Sequence, residues 1–264
     1  MFRRFDPVRP LSALAGAVVL GMFAGLVSAA FLSITGEPSI EDAIAIEEAN
    51  AAKAAEHTGA TGHEEAAEVS RTAQKGPGLF GAYAVAGAAF GALFGATFVG
   101  LRRRIPRLLS RALVTGAVLG GAITVSPWLK YPPNPPAVGD PATLSERQTL
   151  YFTVIILTVV VLFCAAQLSA RLRAAGWVDD QRLLLVAAAV VVPMGIVYGL
   201  MPPAPDEIAV PATLLWRFRL ASLGGNLLLW GVLALGFGAA AAAAERRSGA
   251  PASRTPAART APAS

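Results

Sequence analysis

One polar stretch of this chain has the side chains needed to bind a divalent metal ion. The segment "EHTGATGHEE" contains His57 and His63, and glutamates flank both histidines. Imidazole and carboxylate ligands together suit cobalt, nickel or zinc. The spacing matches no rigid metal motif, so a solvated loop that merely contains histidines is the structural alternative to weak metal capture.

A second set of oxygen ligands lies in the connector "LKYPPNPPAVGDP", which spans residues 129–141. Proline fixes φ and lacks an N–H group, so five prolines in this connector exclude a helix and make a sheet strand improbable. A stiff extended connector can hold Asp140 and Asn134 over one end of the protein as metal ligands, with Tyr131 nearby. The alternative is a rigid tether between two helices.

A third polar group opens the last apolar block, in "PATLLWRFRLASLGGNLLLWG". Asn226 follows Arg219 by seven residues and precedes Trp230 by four, which places the three on one helix face. Arg217 points to nearly the opposite side of that helix. Both arginines could reach lipid headgroups or the carboxylates of "PDE" at 205–207. Alternatively, Arg219 and Asn226 contribute to a polar site that faces the bundle.

Several catalytic chemistries are absent from the sequence. It contains no phosphate-binding loop with Lys-Ser/Thr, no HExxH motif and no GxSxG elbow. Both histidines lie in the first polar stretch, and no apolar block has Asp or Glu at its centre. The single cysteine, Cys164, excludes an internal disulfide. We therefore predict that the protein is not an enzyme and holds no resident cofactor.

The elements that must position these residues are apolar blocks of membrane-spanning length. The chain has 264 residues, 55% hydrophobic and 15% charged, whereas soluble proteins carry about 25% charged residues. Each block can cross a hydrocarbon layer of about 30 Å as a helix. This predicts an all-α, polytopic transmembrane bundle with six spans, at 11–34, 78–101, 108–129, 150–172, 183–201 and 220–244. The first block is longer than the ~7–15 apolar residues of a cleaved signal peptide, so we expect it to be retained.

The basic residues alternate between the two sides of the predicted bundle. One side, which includes both chain ends, carries 15 of the 22 lysines and arginines, and the other side carries 7. The positive-inside rule then places both termini in the cytoplasm. Because these charges cluster at the ends of apolar blocks, they do not indicate a nucleic-acid partner; the expected surroundings are a lipid bilayer.

The polar parts of the chain flank or interrupt a membrane domain that we place at residues 1–244. The Ala/Glu-rich outer segment 35–77 is typical of a mobile loop or a solvated surface helix. The tail at 245–264 is of low complexity and is predicted to be disordered and cytoplasmic. Gly87, Gly91 and Gly95, spaced by four, predict close helix packing, with a glycine-lined conduit as the alternative.

Three stretches resemble the CbtA family of predicted cobalt transporter subunits. They are "RPLSALAGAVVLGMFAGLVSAAF", "LKYPPNPPAVGDPATLSERQTLY" and "VPATLLWRFRLASLGGNLLLWG". The resemblance implies a multi-pass protein of the bacterial inner membrane that serves cobalt uptake for cobalamin synthesis. It also implies a small single-helix partner with a histidine-rich tail, CbtB. Family members are described with about five spans and a His-rich outer loop, whereas this chain has six blocks and two histidines.

The resulting expectation is a permease subunit that moves a divalent metal ion, with cobalt as the expected substrate. Outer connectors would gather the ion near Asp140, Asn134 and the two histidines. The path would be lined by backbone carbonyls, threonines, Asn226 and Cys164. Without an ATP site, the energy must come from the membrane potential, an ion gradient or a partner. The alternative is a non-transporting membrane scaffold or assembly subunit of a partner complex.

Overall fold

A computed structural model describes residues 9–58, 70–136, 138–205, 208 and 210–249, and within these ranges it contains helices and no strand. All the long helices except the second are long and apolar enough to cross a membrane, which makes six candidate spans. The all-α fold with six spans is thus confirmed. The helices are α1 (Pro10–Thr35), α2 (Glu37–Thr58), α3 (Arg71–Arg103), α4 (Leu108–Lys130), α5 (Pro141–Ala174), α6 (Asp179–Leu200) and α7 (Ala212–Gly249).

The observed helix boundaries differ most from the predicted bounds of the apolar blocks in α5 and α7. α5 begins with a turn at Pro141, and α7 begins at Ala212, each well before its apolar block. Proline is favoured in the first helical turn because its missing N–H would have no intrahelical acceptor. The apolar blocks therefore locate the part of each helix suited to lipid, and the polar turns before them extend beyond it.

The two ends of the bundle have different compositions, and we name them from their helix ends. α4 and α6 end, and α5 and α7 begin, at the proline-rich face. α3 and α5 end, and α4 and α6 begin, at the arginine-rich face. Consecutive spans therefore run in opposite directions, as short connectors between helices require.

Glycines allow α1 and α3 to pack with their backbones in contact. A Cβ added at Gly21 would lie 2.7 Å from the Cα of Gly91 and closer still to the carbonyl oxygen of Gly87. Only glycine fits such an approach, so the spaced glycines of α3 serve helix packing. α7 packs against α1 and α4, and a fully buried aromatic group of Phe94, Phe98 and Phe237 fills the centre.

α5 and α6 lie at the periphery of the bundle and pack mainly against each other. Met194 is the buried residue of α6. Gly195 and Gly199 have the same spacing as the packing glycines of α3, yet a Cβ at either would meet nothing within 4 Å. The glycine spacing thus predicts the packed interface between α1 and α3 correctly. On α6 the same spacing lies on an open surface.

α2 covers part of the proline-rich face and packs by one side. Its Ala43 forms a buried cluster with Val138, which precedes α5, and Leu214 of α7. Of the two forms expected for this segment, the structure has a helix over 37–58. Three ion pairs attach it to α3 and α7: Glu37–Arg71 at 2.6 Å, Glu41–Lys75 at 2.7 Å and Asp42–Arg217 at 3.6 Å. The hydrogen bond from Lys75 lowers the pKa of Glu41.

Candidate functional site

α4 contains a wide turn close to the proline-rich face. Residues Gly121–Val125 form a π-helical turn, which Pro127 follows in the next turn. Because Pro127 has no N–H, the carbonyl of Ile123 loses its usual helical donor. The hydroxyl of Tyr151 in α5 lies 3.4 Å from that carbonyl oxygen and donates to it. Turns of this type often mark functional positions within helices.

Three hydroxyl groups from three helices meet beside this turn. The Oγ of Ser126 in α4 lies 2.6 Å from Thr158 Oγ1 in α5 and 2.9 Å from Tyr198 Oη in α6. Tyr198 Oη also lies 2.9 Å from the backbone oxygen of Ser126. We call Ser126, Thr158 and Tyr198 the hydroxyl cluster. It joins α4, the peripheral α5 and α6 through polar atoms in an otherwise apolar region.

A groove of about 340 Å³ opens beside the hydroxyl cluster. It is lined by α4, α5 and α6, including all three cluster residues, Gly121 and Met194. Ser126 is four residues before Lys130 at the end of α4, which is about 6 Å along a helix. The groove therefore lies in the half of the bundle nearest the proline-rich face.

The buried indole of α7 is also tied to the wide turn. Trp230 Nε1 donates to Thr124 Oγ1 at 3.0 Å, and Trp230 is 4% exposed. A Cβ added at Gly120 would lie 3.0 Å from this indole, so a small residue is needed opposite it. α7 thus supports the turn from the side away from α6.

Lys130 and Tyr131 clamp the end of α4 to the end of α6 above the groove. Lys130 Nζ donates to the carbonyls of Tyr198 and Met201, at 2.8 and 2.9 Å. The last carbonyls of a helix have no intrahelical donor and attract a cation. Tyr131 donates to the Pro202 carbonyl at 2.7 Å, and burial raises the pKa of its hydroxyl, which therefore remains a donor at neutral pH. We call these bonds the α4–α6 clamp.

Replacing Lys130 with methionine is expected to loosen the end of α6. The two lost bonds come from a charged donor, so the free energy of unfolding should fall by roughly 1.5–3 kcal/mol. Thermal unfolding of the purified protein measures this, and hydrogen exchange should rise at the C-terminal amides of α6. Lys75→Met is the control, since that ammonium bonds an exposed carboxylate and such pairs contribute about 0–1 kcal/mol. Equal effects from both variants would contradict a clamp.

Arg219 and Asn134 are brought together at the proline-rich face. Arg219 Nη2 donates to Asn134 Oδ1 at 2.9 Å, and its Nε lies 3.4 Å from the carbonyl of Pro133. The indole of Trp128 donates to the Arg219 backbone at 3.2 Å. Arg219 thus ties the proline connector to α7 through an amide. Asp206 and Glu207, which the sequence suggested as its carboxylate partners, lie outside the described residues.

The other predicted site residues have separate local roles. Asn226 donates to the Ser222 carbonyl of its own helix at 2.9 Å, and Arg217 pairs with Asp42. Asp140 Oδ1 accepts from the Ala142 N–H at 2.8 Å, so this carboxylate caps the turn that begins α5.

The backbone of His57 belongs to the last turn of α2. Its side chain and all of His63 lie outside what the structure describes.

A classical metal site is not formed by the described part of the chain. Within it, no three His, Cys, Asp or Glu residues lie close enough to hold a metal ion. A second groove, of about 250 Å³, contains Glu37 and Glu41 beside Ser33, but both carboxylates are paired with cations of α3. Cys164 is exposed on α5. The described residues therefore offer neutral oxygens, not a carboxylate cage, inside the bundle.

Sequence reasoning missed the hydroxyl cluster. Each residue lies within an apolar block, as Ser126 does in "TVSPW" and Thr158 in "VIILTVVVLF". A hydroxyl in a membrane helix usually bonds to its own backbone, as Thr158 does to Val154 at 2.7 Å. The available signal was a serine directly before a proline within a span, which indicates an interrupted helix but not its partners.

Comparison with protein families gives a match over most of the chain. The family described as "Probable cobalt transporter subunit (CbtA)" matches residues 12–242. That range extends from the start of α1 into α7 and includes the hydroxyl cluster and the α4–α6 clamp. No curated protein and no solved structure matches the chain.

Proposed function

The chain belongs to the CbtA family of probable cobalt transporter subunits, and from this premise we propose that it is a permease subunit for a divalent metal ion, namely cobalt. The observation that carries the proposal is the groove at the wide turn of α4, where hydroxyls of three spans meet. The proposed setting is the bacterial cytoplasmic membrane, and the proposed role is cobalt supply for cobalamin synthesis.

The groove at the wide turn is lined mainly by apolar side chains, and the hydroxyl cluster supplies its polar side chains. Lipid offers no ligand to replace the hydration shell of an ion, so protein oxygens must do so. Irregular backbone at membrane depth is tolerated where it is buried in protein or lines a cavity. The wide turn of α4 meets this condition, because its neighbours Thr158 and Tyr198 line the same groove. Neutral oxygens hold an ion loosely enough for it to leave again.

The proposed direction follows from charge. The arginine-rich face is assigned to the cytoplasm by the positive-inside rule, which places the proline-rich face outside. An ion would enter there, near Asp140, Asn134 and the histidines His57 and His63. An inside-negative potential favours entry by about 2.3 kcal/mol per charge for each 100 mV. A small single-helix, histidine-rich partner of the CbtB type is part of this proposal.

Uptake of cobalt into proteoliposomes tests the permease assignment. With an inside-negative potential, vesicles containing the full chain, alone or with the small partner, should take up Co²⁺ faster than empty vesicles. No uptake under either condition would reject the assignment.

Asp140→Asn tests the entry step. Asparagine keeps the helix cap but removes the charge, so uptake should fall roughly twofold to fivefold, as expected for about 0.5–1 kcal/mol of lost attraction. Asn134→Ala should also reduce uptake without reducing insertion. Asp179→Asn, which removes an exposed carboxylate at the arginine-rich face, is the matched control. Unchanged uptake in Asp140→Asn and Asn134→Ala would reject this entry site.

A scaffold is the second candidate, and the surface of α6 favours it. Most residues of α6 are exposed, and its glycine pair faces open space. A subunit that only assembles a partner complex would show no uptake by itself or with the small partner, yet would copurify with that partner from membranes.

A further inference from the structure

The basic side chains described at the arginine-rich face are all arginines. The three lysines of the chain lie in α2, near the start of α3 and at the end of α4. A guanidinium can bind a phosphate group through two parallel N–H bonds, whereas an ammonium acts as a point charge. The composition of this face therefore suits phosphate groups as ligands.

Three arginines of this face are exposed and have no acidic partner among the described residues. Arg102, Arg104 and Arg171 are all exposed, and none of them forms an ion pair with a described carboxylate. Clustered positive charge without internal partners attracts anions from the surroundings.

One of these arginines is fixed in position by a hydrogen bond to α5. Arg104 Nη2 donates to Gln167 Oε1 at 2.9 Å. A guanidinium carries only donors, so the amide of Gln167 must accept with its oxygen, and its NH₂ group remains a donor. Arg171 follows Gln167 by four residues, which places the two on one face of α5. We call Arg104, Gln167 and Arg171 the donor group, because each can donate to one anion placed between them.

The donor group lies where α4 and α5 separate. α5 packs against residues 121–130 of α4, whereas residues 108–120 of α4 pack against α3 and α7. The two helices therefore diverge towards the arginine-rich face. There α5 presents an apolar surface that leads to the donor group: Val160 and Phe163, seven and four residues before Gln167, are 51% and 62% exposed.

We propose that Arg104, Gln167 and Arg171 bind the headgroup phosphate of an anionic phospholipid, whose acyl chains lie along Val160 and Phe163. The lipid phosphate accepts N–H bonds from the donor group, and the exposed apolar surface of α5 contacts the chains. This site lies apart from the groove at the wide turn, and it does not depend on ion transport.

The position of the donor group favours a lipid over an acidic protein as the ligand. It follows an exposed apolar surface at the end of a membrane span, which is the level of the headgroups in a bilayer. Trp177, in the connector after α5, is 43% exposed, and tryptophan is enriched at this interface. The positive-inside rule assigns this face to the cytoplasm, where the leaflet carries anionic lipids.

Lipid-dependent thermal stabilisation of the purified full chain in detergent tests this site. A ligand that binds the folded state raises its unfolding temperature. Phosphatidylglycerol should raise this temperature more than phosphatidylcholine, which has a phosphate but no net charge. In the double variant Arg104→Gln/Arg171→Gln, the apparent affinity for phosphatidylglycerol should fall roughly thirtyfold, which corresponds to about 2 kcal/mol for two arginines.

The matched control removes two other arginines of the same face. Arg246 and Arg247 are exposed near the end of α7, so Arg246→Gln/Arg247→Gln changes the net charge equally. This variant should respond to phosphatidylglycerol as the wild type does.

Gln167→Glu separates lipid binding from a purely structural role of the Arg104–Gln167 bond. A carboxylate still accepts from Arg104, so the link between α5 and the connector is kept, but its charge repels a phosphate. This variant should lose most of the stabilisation by phosphatidylglycerol while its unfolding temperature without lipid stays the same or rises. A response equal to that of the wild type would mean that the bond is structural only.

The remaining results would each overturn the proposal in a different way. Equal stabilisation by phosphatidylcholine would mean that the acyl chains bind without the donor group. Equal losses in the two double variants would mean that the charge of the whole face attracts lipid. Sodium phosphate or polyglutamate that stabilised the chain as phosphatidylglycerol does would identify a free anion or an acidic protein segment as the ligand.

Discussion

Replacing Gly91 with valine is expected to leave little folded protein, because α1 and α3 could no longer pack. A Cβ at this position would lie 3.0 Å from the Cα of Val18 and closer still to the carbonyl oxygen of Ala17. Both obstacles are backbone atoms, which cannot rotate away as a side chain could. Overpacking costs about 1–3 kcal/mol even where side chains adjust, and folded proteins are stable by only about 5–15 kcal/mol.

The same helix provides the control for this prediction. A Cβ at Gly81 would meet nothing within 4 Å, and Gly81→Val adds the same β-branched side chain to α3. The fraction of monodisperse protein after extraction in detergent, together with its unfolding temperature, should fall sharply for Gly91→Val and little for Gly81→Val. If the two variants behaved alike, helix propensity and not the close approach of α1 would be responsible.

Replacing Arg111 with methionine is expected to have the second largest effect, by releasing the connector at the arginine-rich face. Arg111 is 7% exposed. Its Nε donates to the Ile105 carbonyl at 2.7 Å and its Nη2 to the Pro106 carbonyl at 3.0 Å. Its Cζ lies 4.7 Å from the ring centroid of Phe98. The guanidinium thus closes the turn between α3 and α4 and covers the aromatic centre of the bundle.

The expected loss is about 2–4 kcal/mol in the free energy of unfolding. Bonds from charged donors contribute about 1.5–3 kcal/mol, and a desolvated cation over an aromatic ring adds about 0.5–2 kcal/mol. Methionine keeps the apolar length of the side chain but no donor. Arg111→Lys should lose most of this stability as well, because an ammonium cannot reproduce the planar fork.

Chemical or thermal unfolding of the purified protein measures this loss. Arg103→Met is the control, since Arg103 is an exposed arginine at the end of α3, next to the same connector, and its removal changes the net charge equally. A similar loss from Arg103→Met would mean that the charge of this face, and not the bonds of Arg111, stabilises the turn.

The sequence by itself determined the number and approximate positions of the spans and the family. Lipid requires every backbone polar group to be paired within the protein, so long apolar blocks must be helices. The spaced glycines of α3 likewise predicted close packing, because a missing side chain is a property of the residue itself. The identical spacing at Gly195 and Gly199 did not predict a neighbouring helix, since the sequence of one helix does not specify whether another helix packs against it.

Only the tertiary structure decided which polar atoms meet. Asn134 and Asp140 lie in one connector and were equivalent candidates from their type and position. Folding joins Asn134 to Arg219 and leaves Asp140 as the cap of α5. Ser126, Thr158 and Tyr198 come from three spans, 32 to 72 residues apart, and a hydroxyl satisfied by its own helix looks the same in sequence as one that faces a groove. The physical reason is that helix packing, not local pattern, sets the azimuth at which each span presents its few polar groups.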